Sequence, residues 1–228
     1  MVVVSGEPTM VKDIICLWTG EGSRFSEDYV HKLKSMVDHH TTHDHRFFCL
    51  SPQPIEGITT LPLTLPLLQP RGWNMVRLFD GYPQLSNNLL YFDLDTIILD
   101  NIDFLMELDS PLAVMHDMGG EGKSNKILWG GAIMSWQQDK FTWVGESFTE
   151  SVMDVPKYRN RADLWYGYLI QEKGCHFDYL QDLFPDVLHS YKLDLAKGDP
   201  LPTTKIVCFH GVPLPHEVDN QWVMDNWV

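Results

Sequence analysis

The stretch Leu89-Leu90-Tyr91-Phe92-Asp93-Leu94-Asp95-Thr96-Ile97-Ile98-Leu99 decides how this chain reads. An apolar strand runs into two aspartates, and a second apolar run leaves them. On an extended chain, residues two apart point to the same side, so Asp93 and Asp95 are expected to converge while Leu94 turns into the core. Paired carboxylates suit a hard cation such as Mg2+ or Mn2+, which keeps coordination positions open for water and phosphate oxygens. The plain alternative is that an Asp-x-Asp merely ends a strand and begins a turn, as most such pairs do.

The rest of the chain gives the aspartates a setting. Asp13 opens the apolar run Ile14-Ile-Cys-Leu-Trp18, which ends in Thr19-Gly20-Glu21-Gly22 and reads as a buried strand and turn. Ser26 is a plausible helix cap, with Val30, Leu33, Met36 and Val37 recurring at helical spacing behind it. Arg46-Phe-Phe-Cys-Leu-Ser51 is a second strand. Strand, helix and strand with short connections predict an α/β fold with a mostly parallel sheet, in which ligands collect at the carboxyl ends of the strands. Five prolines between Pro52 and Pro70 exclude a regular helix or central strand there. A short helix over Trp73–Phe79, strands at Leu112–Met115 and Ala132–Trp136, and a helical region from Lys140 to Lys173 broken near Pro156 follow. Between those two strands lies a Gly- and Lys-containing loop, 118–126. Lys205-Ile-Val-Cys-Phe209 is a late strand that leads into His210-Gly-Val-Pro-Leu-Pro-His216, a proline-rigid loop with two histidines.

Composition narrows the classes. The 228 residues permit a substantial core, and we expect one domain over 1–228. Hydrophobic residues at 44% and charged residues at 21% are ordinary globular values, and no apolar run is long enough to cross a bilayer. The opening Met-Val-Val-Val-Ser-Gly lacks the features of a secretory signal, and four scattered cysteines suit a reducing compartment, so a cytoplasmic location is expected. A formal charge of −14 argues against nucleic-acid binding and means that any anionic ligand must be held by a local cation.

Taken in order, Ile14-Ile-Cys-Leu-Trp, Gly72-Trp-Asn74, Leu90-Tyr-Phe-Asp-Leu-Asp-Thr-Ile-Ile-Leu, Gly131-Ala-Ile-Met-Ser-Trp and Ile206-Val-Cys-Phe-His-Gly-Val-Pro-Leu-Pro-His-Glu-Val resemble compact bacterial and phage glycosyltransferases of GT-A fold, distantly related to glycosyltransferase family eight. The resemblance covers almost the whole chain. It implies a Rossmann-like GT-A domain in which Asp93, Asp95 and His210 coordinate Mn2+ (or Mg2+) that grips a UDP- or GDP-sugar, with an acceptor the resemblance does not specify. It also implies that Trp18 and Thr19 line the nucleoside pocket, and that Asn74, Gly131, Gly211 and His216 contact the donor. Asp163, in Arg-Ala-Asp-Leu-Trp, falls where relatives carry an Asp near the reacting sugar, as acceptor contact or catalytic carboxylate. Relatives place Lys near Met75 and at Leu214. This chain has neither, and Arg71 or Arg77 is expected to meet the phosphates instead.

Other features have plain readings. His39, His40, His43 and His45 form a dense cluster that reads as a solvated, helix-ending loop rather than a metal centre. Trp129, Trp136, Trp143 and Trp165 suit core packing better than sugar stacking. Two other functions stay open at this level. One is a non-catalytic sugar-nucleotide or glycan-binding protein, given Met75 and Leu214. The other is a phosphatase of the haloacid-dehalogenase type, whose first motif Phe-Asp-Leu-Asp-Thr-Ile resembles.

Overall fold

The computed structural model describes residues 12–118, 129–158, 160–196 and 198–228. The N-terminal Met-Val-Val-Val-Ser-Gly and, beyond Met118, the 118–126 loop lie outside these residues.

Along the chain run β1 (Asp13–Leu17), α1 (Asp28–His40), β2 (Arg46–Ser51), β3 (Thr59–Pro62), β4 (Asn88–Phe92), β5 (Thr96–Ile98), α2 (Asp103–Met106), β6 (Leu112–His116), β7 (Trp129–Gln137), α3 (Gln138–Glu146), α4 (Ala162–Glu172), β8 (Asp178–Tyr179), α5 (Leu180–Leu183), β9 (Leu188–Ser190), β10 (Ile206–Cys208) and α6 (Gln221–Asn226). A seven-stranded sheet has the order β3-β2-β1-β4-β7-β6-β8, and β5, β10 and β9 form a second, three-stranded sheet. In the large sheet only β7 runs against its neighbours, β4 and β6; the other ladders are parallel. The carboxyl ends of β1, β4 and β6 therefore meet at one edge, and the antiparallel β7 brings its beginning, Trp129–Gly131, to that same edge.

Period-two alternation sorts the core onto two faces. Ile14, Cys16, Leu90 and Phe92 pack with Tyr29, Val30, Leu33, Met36 and Val37 of α1, while Ile15, Leu89 and Tyr91 pack with Trp73, Val76, Trp165 and Tyr166 on the other face. Trp129, Trp136 and Trp165 are buried in that second layer. At the prolines the chain forms β3 after all, but as the outermost strand of the sheet, where Pro62 ends the pairing with Ser51. The short helix over Trp73–Phe79 is a 3₁₀ segment, Arg71–Phe79.

Ser26 does not cap α1. Glu27 occupies that position without a capping side chain, and Ser26 contributes only its carbonyl, which accepts from Tyr29 N–H at 3.1 Å. His39 and His40 complete the last turn of α1, and His45 and His43 pair with the carboxylates of Asp38 (3.0 Å) and Glu107 (3.1 Å). Cys16, Cys49, Cys175 and Cys208 are all free thiols.

Candidate active site

At the shared strand edge lies a cleft of about 640 Å3, within the size range of small-molecule sites. Thr19, Arg24, Met75, Asp93, Gly131, Asp163, His210 and Gly211 are among its lining residues. Thr19 follows β1 and Asp93 follows β4, as the parallel topology requires. Asp93 N–H donates to the Ala132 carbonyl at 2.8 Å, which fastens the end of β4 to the start of β7. Gly131 then presses against the cleft: a Cβ there would lie 2.8 Å from Met75 Cε, 2.9 Å from Tyr166 Oη and 3.2 Å from Asp163 Cβ. Only glycine leaves that space open.

The two aspartates do not continue as an extended strand. Thr96 N–H donates to the Asp93 carbonyl at 3.2 Å, closing a turn over Leu94 and Asp95 before β5 departs into the second sheet. Alternation therefore fails as the device that positions them. The Asp93 side chain faces the cleft and accepts from Tyr91 Oη at 2.5 Å, whereas Asp95 lies beneath, with its side chain 2% exposed. Asp95 holds a cation already: Arg24 Nη2 donates to its Oδ2 at 2.8 Å.

His210 reaches this place through strand pairing. In the β5–β10 ladder Cys208 lies opposite Thr96, and one residue on, Phe209 N–H donates to the Asp95 carbonyl at 2.9 Å. His210 is the next residue and lines the cleft. Its Nε2 is hydrogen bonded to the Ser190 hydroxyl at 2.6 Å, which fixes the ring and leaves Nδ1 as the nitrogen not engaged by Ser190.

Electrostatics match the crowding of acids. Burial, with Asp163 nearby, pushes Asp93 up to about 6 against the pull of Tyr91 and Arg24. Burial and the neighbouring Asp93 raise Asp95 well above the carboxylate range, opposed by Arg24 and Lys192. Burial and Lys192 lower His210, so that its imidazole is neutral near pH 7. Two carboxylates and a neutral imidazole are the donor chemistry of a Mn2+ or Mg2+ site, and the Arg24 guanidinium supplies the positive charge that Asp95 meets in this structure. As the side chains stand, no three His, Cys, Asp or Glu groups among the described residues converge closely enough to share one ion.

Other expected residues lie elsewhere. Trp18, 2% exposed, packs in the α1-side core and donates Nε1–H to the Phe25 carbonyl at 2.9 Å, so it supports the loop that carries Arg24 instead of lining the cleft. Asn74 is fully buried and bonds the backbone of Leu68 and Arg71, which holds the proline loop in shape. Arg77 pairs with Asp80 at 3.7 Å and sits over Phe148, away from the cleft. His216 is exposed, bonds Tyr29 Oη through Nδ1 at 2.5 Å and stacks on Trp227. These four do not line the cleft, and their hydrogen bonds and packing hold them in the surrounding structure. Arg71 does line the cleft, but its guanidinium donates to the carbonyls of Thr19 and Glu21 and so braces the turn after β1.

Two cations escaped the sequence reading. Arg24 lines the cleft. Lys192 belongs to a π-helical segment, Tyr191–Leu195, and its Nζ lies 3.0 Å from where a Cβ on Gly211 would stand. Among the described residues Lys192 makes no ion pair, and only its electrostatic effect on His210 and Asp95 marks it. A third cation, Arg161, donates to Asp163 (2.5 Å) and Asp117 (2.8 Å), holding Asp163 at the cleft wall.

The arrangement defines a GT-A fold: a mostly parallel sheet flanked by helices, with one antiparallel strand and the acids at its strand ends. Solved structures of this kind include the galactosyltransferase LgtC in complex with donor and acceptor sugar analogs, with a TM-score of 0.61 and 12% identity over 91% of this chain and 90% of that one. An active-site mutant of LgtC superposes equally well, with a TM-score of 0.61 and 14% identity over 92% of this chain and 91% of that one. No family model and no curated protein matches the sequence. No helix among the described residues is long and apolar enough to cross a membrane.

Proposed function

We propose that this chain is a glycosyltransferase that moves a sugar from a UDP- or GDP-sugar to an acceptor, with Mn2+ or Mg2+ held by Asp93, Asp95 and His210. The observation that supports it best is the bond from Phe209 N–H to the Asp95 carbonyl, which ties the residue before His210 to the turn that carries the acids although more than a hundred residues separate them. LgtC, of the same fold, was solved with donor and acceptor sugar analogs.

A divalent cation bound there would neutralise charge that develops on the leaving diphosphate. The residues of the chain divide the remaining work. Thr19, at the end of β1, meets the nucleoside side of the cleft, and Gly131 and Gly211 let the ligand approach the backbone. Lys192, beside Gly211, takes the phosphate-facing role that Met75 and Leu214 cannot fill. Asp163, held by Arg161 beside Gly131, faces the sugar or acceptor as a hydrogen-bond acceptor or catalytic carboxylate. Nothing in the acid geometry favours a nucleophilic phosphatase over this reading, and a binding module without turnover is separated from it by experiment.

The experiment is incubation with Mn2+ and a panel of nucleotide sugars, followed by quantification of free nucleoside diphosphate. Slow, EDTA-sensitive donor hydrolysis supports the transferase. Donor binding without release of diphosphate would leave only the binding module.

A further inference from the structure

The loop that follows β1 is built to hold one side chain over Asp95. Gly20 and Gly22 take positive φ of 75° and 77°, a backbone that other residues adopt with strain. At Gly20 a Cβ would also lie 2.8 Å from Pro52 Cγ. Ser23 then closes a tight turn, its hydroxyl donating to the Phe25 carbonyl at 2.6 Å and accepting from Phe25 N–H at 3.1 Å. The same carbonyl accepts from the buried Trp18 indole. Arg24 emerges from this turn with its guanidinium 4.5 Å from the centre of the Phe25 ring and 2.8 Å from Asp95.

The two ends of that ion pair differ sharply in exposure. The Asp95 side chain is 2% exposed and the Arg24 side chain 47%. A buried carboxylate without a counter-charge is costly, whereas a half-exposed guanidinium leaves its partner at little cost because water receives it. Asp93, the neighbouring acid, feels the same guanidinium.

We propose that Arg24 is the resident counter-cation of this acid pair, held on Asp95 until a divalent cation replaces it and then turned toward the anionic ligand in the cleft. The inference rests on the metal reading given above and deepens it. The exchange conserves the logic of the site: a cation always faces Asp95, and the displaced guanidinium stays on the cleft wall, where a diphosphate brings negative charge that the divalent ion and Arg24 share. Metal alone therefore binds against a competitor. An anion that engages Arg24 removes that competitor, so metal and donor bind cooperatively.

The test is Mn2+ binding by the full chain without nucleotide, read as the free-ion signal in electron paramagnetic resonance, for the wild type, Arg24→Met and Arg24→Lys. Removing the competing charge in Arg24→Met is expected to tighten Mn2+ by about three- to tenfold, the effect of losing an ion pair exposed at one end. Arg24→Lys, which keeps the charge, is expected to stay near the wild type. In EDTA, Arg24→Met is expected to melt below the wild type and to recover with Mn2+. Equal or weaker Mn2+ binding by Arg24→Met overturns the exchange while leaving the metal site standing. Absence of Mn2+ binding in all three proteins overturns the metal reading and the exchange with it.

Discussion

Phe209 N–H donates to the carbonyl of Asp95 at 2.9 Å, and this one bond sets the C-terminal strand in register with the turn that carries the acids. His210 owes its position to it. Replacing His210 with Ala removes the proposed nitrogen ligand without touching the ladder, since Phe209 bonds through its backbone. The expected outcome is a loss of metal-dependent donor binding by at least about tenfold, the scale of one lost ligand interaction, with β-sheet content unchanged by circular dichroism. Donor binding equal to the wild type in the presence of Mn2+ would remove His210 from the site.

At Asp93 the proposed role as a metal ligand runs against stability. Its pKa is raised from 3.8 to about 6 in the folded chain, so the folded state binds this proton more tightly than the unfolded one. Ionised Asp93 therefore costs stability, a cost that grows as pH rises from 3.8 to about 6 and is complete above that. Asp93→Asn should raise the melting temperature of the metal-free protein at pH 7.5 by roughly 2–6 °C and have almost no effect near pH 4. Donor binding should be lost at both. A variant that melts lower than the wild type at pH 7.5 would show that Asp93 is not a strained acid.

The same shift gives a pH profile for binding. The proposed metal site needs Asp93 and Asp95 ionised and His210 neutral, and acid reverses all three. Mn2+ affinity measured by calorimetry should fall steadily between pH 7.5 and pH 5.5, as Asp93, raised to about 6, and Asp95, raised by burial and by Asp93, take up protons. A flat profile would place the ligands elsewhere.

Lys192 stands close enough to Gly211 to meet a phosphate there. Lys192→Met keeps the length of the side chain and removes the charge. It should weaken nucleoside diphosphate about tenfold, typical for one lost charge-assisted contact, and leave the free nucleoside unaffected. Equal loss for both ligands would indicate a structural role.

Gly131 is a tight point of the cleft wall. Gly131→Ala places a methyl group between Met75, Tyr166 and Asp163. Denaturant unfolding should show a loss of about 1–3 kcal/mol, as overpacking generally costs, and donor turnover should drop with it. Full stability in this variant would mean that α4 moves away freely.

Much of this was legible in the sequence because it depended on local periodicity. The β1-α1-β2 opening followed from apolar spacing, and Asp93 was marked by lying just after a strand of the parallel sheet, whereas His210 follows β10 of the second sheet and reaches the cleft by the pairing of β10 with β5. The failures have physical causes. Alternation predicted that Asp93 and Asp95 point the same way, but the chain turns at Leu94 to feed a different sheet, and no pattern of residue types announces that. Ser26 had the chemistry of a cap, but Glu27 takes that position and no side chain caps the helix. Trp18 follows the first strand, where ligand groups gather, yet its indole finds a backbone carbonyl and stays in the core. Lys192 and Arg24 carry no motif at all; each acts through a contact between segments far apart in the chain.

The central claim, that Asp93, Asp95 and His210 form one cation site for a diphosphate, is tested most directly by anomalous diffraction at the manganese edge. Crystals would be soaked with Mn2+ and a nucleoside diphosphate. The account predicts a single strong peak roughly 2.0–2.6 Å from the His210 imidazole and from at least one of the two aspartates, with Arg24 no longer on Asp95. A manganese peak bound elsewhere, with His210 still turned to Ser190 and Arg24 still on Asp95, would contradict it.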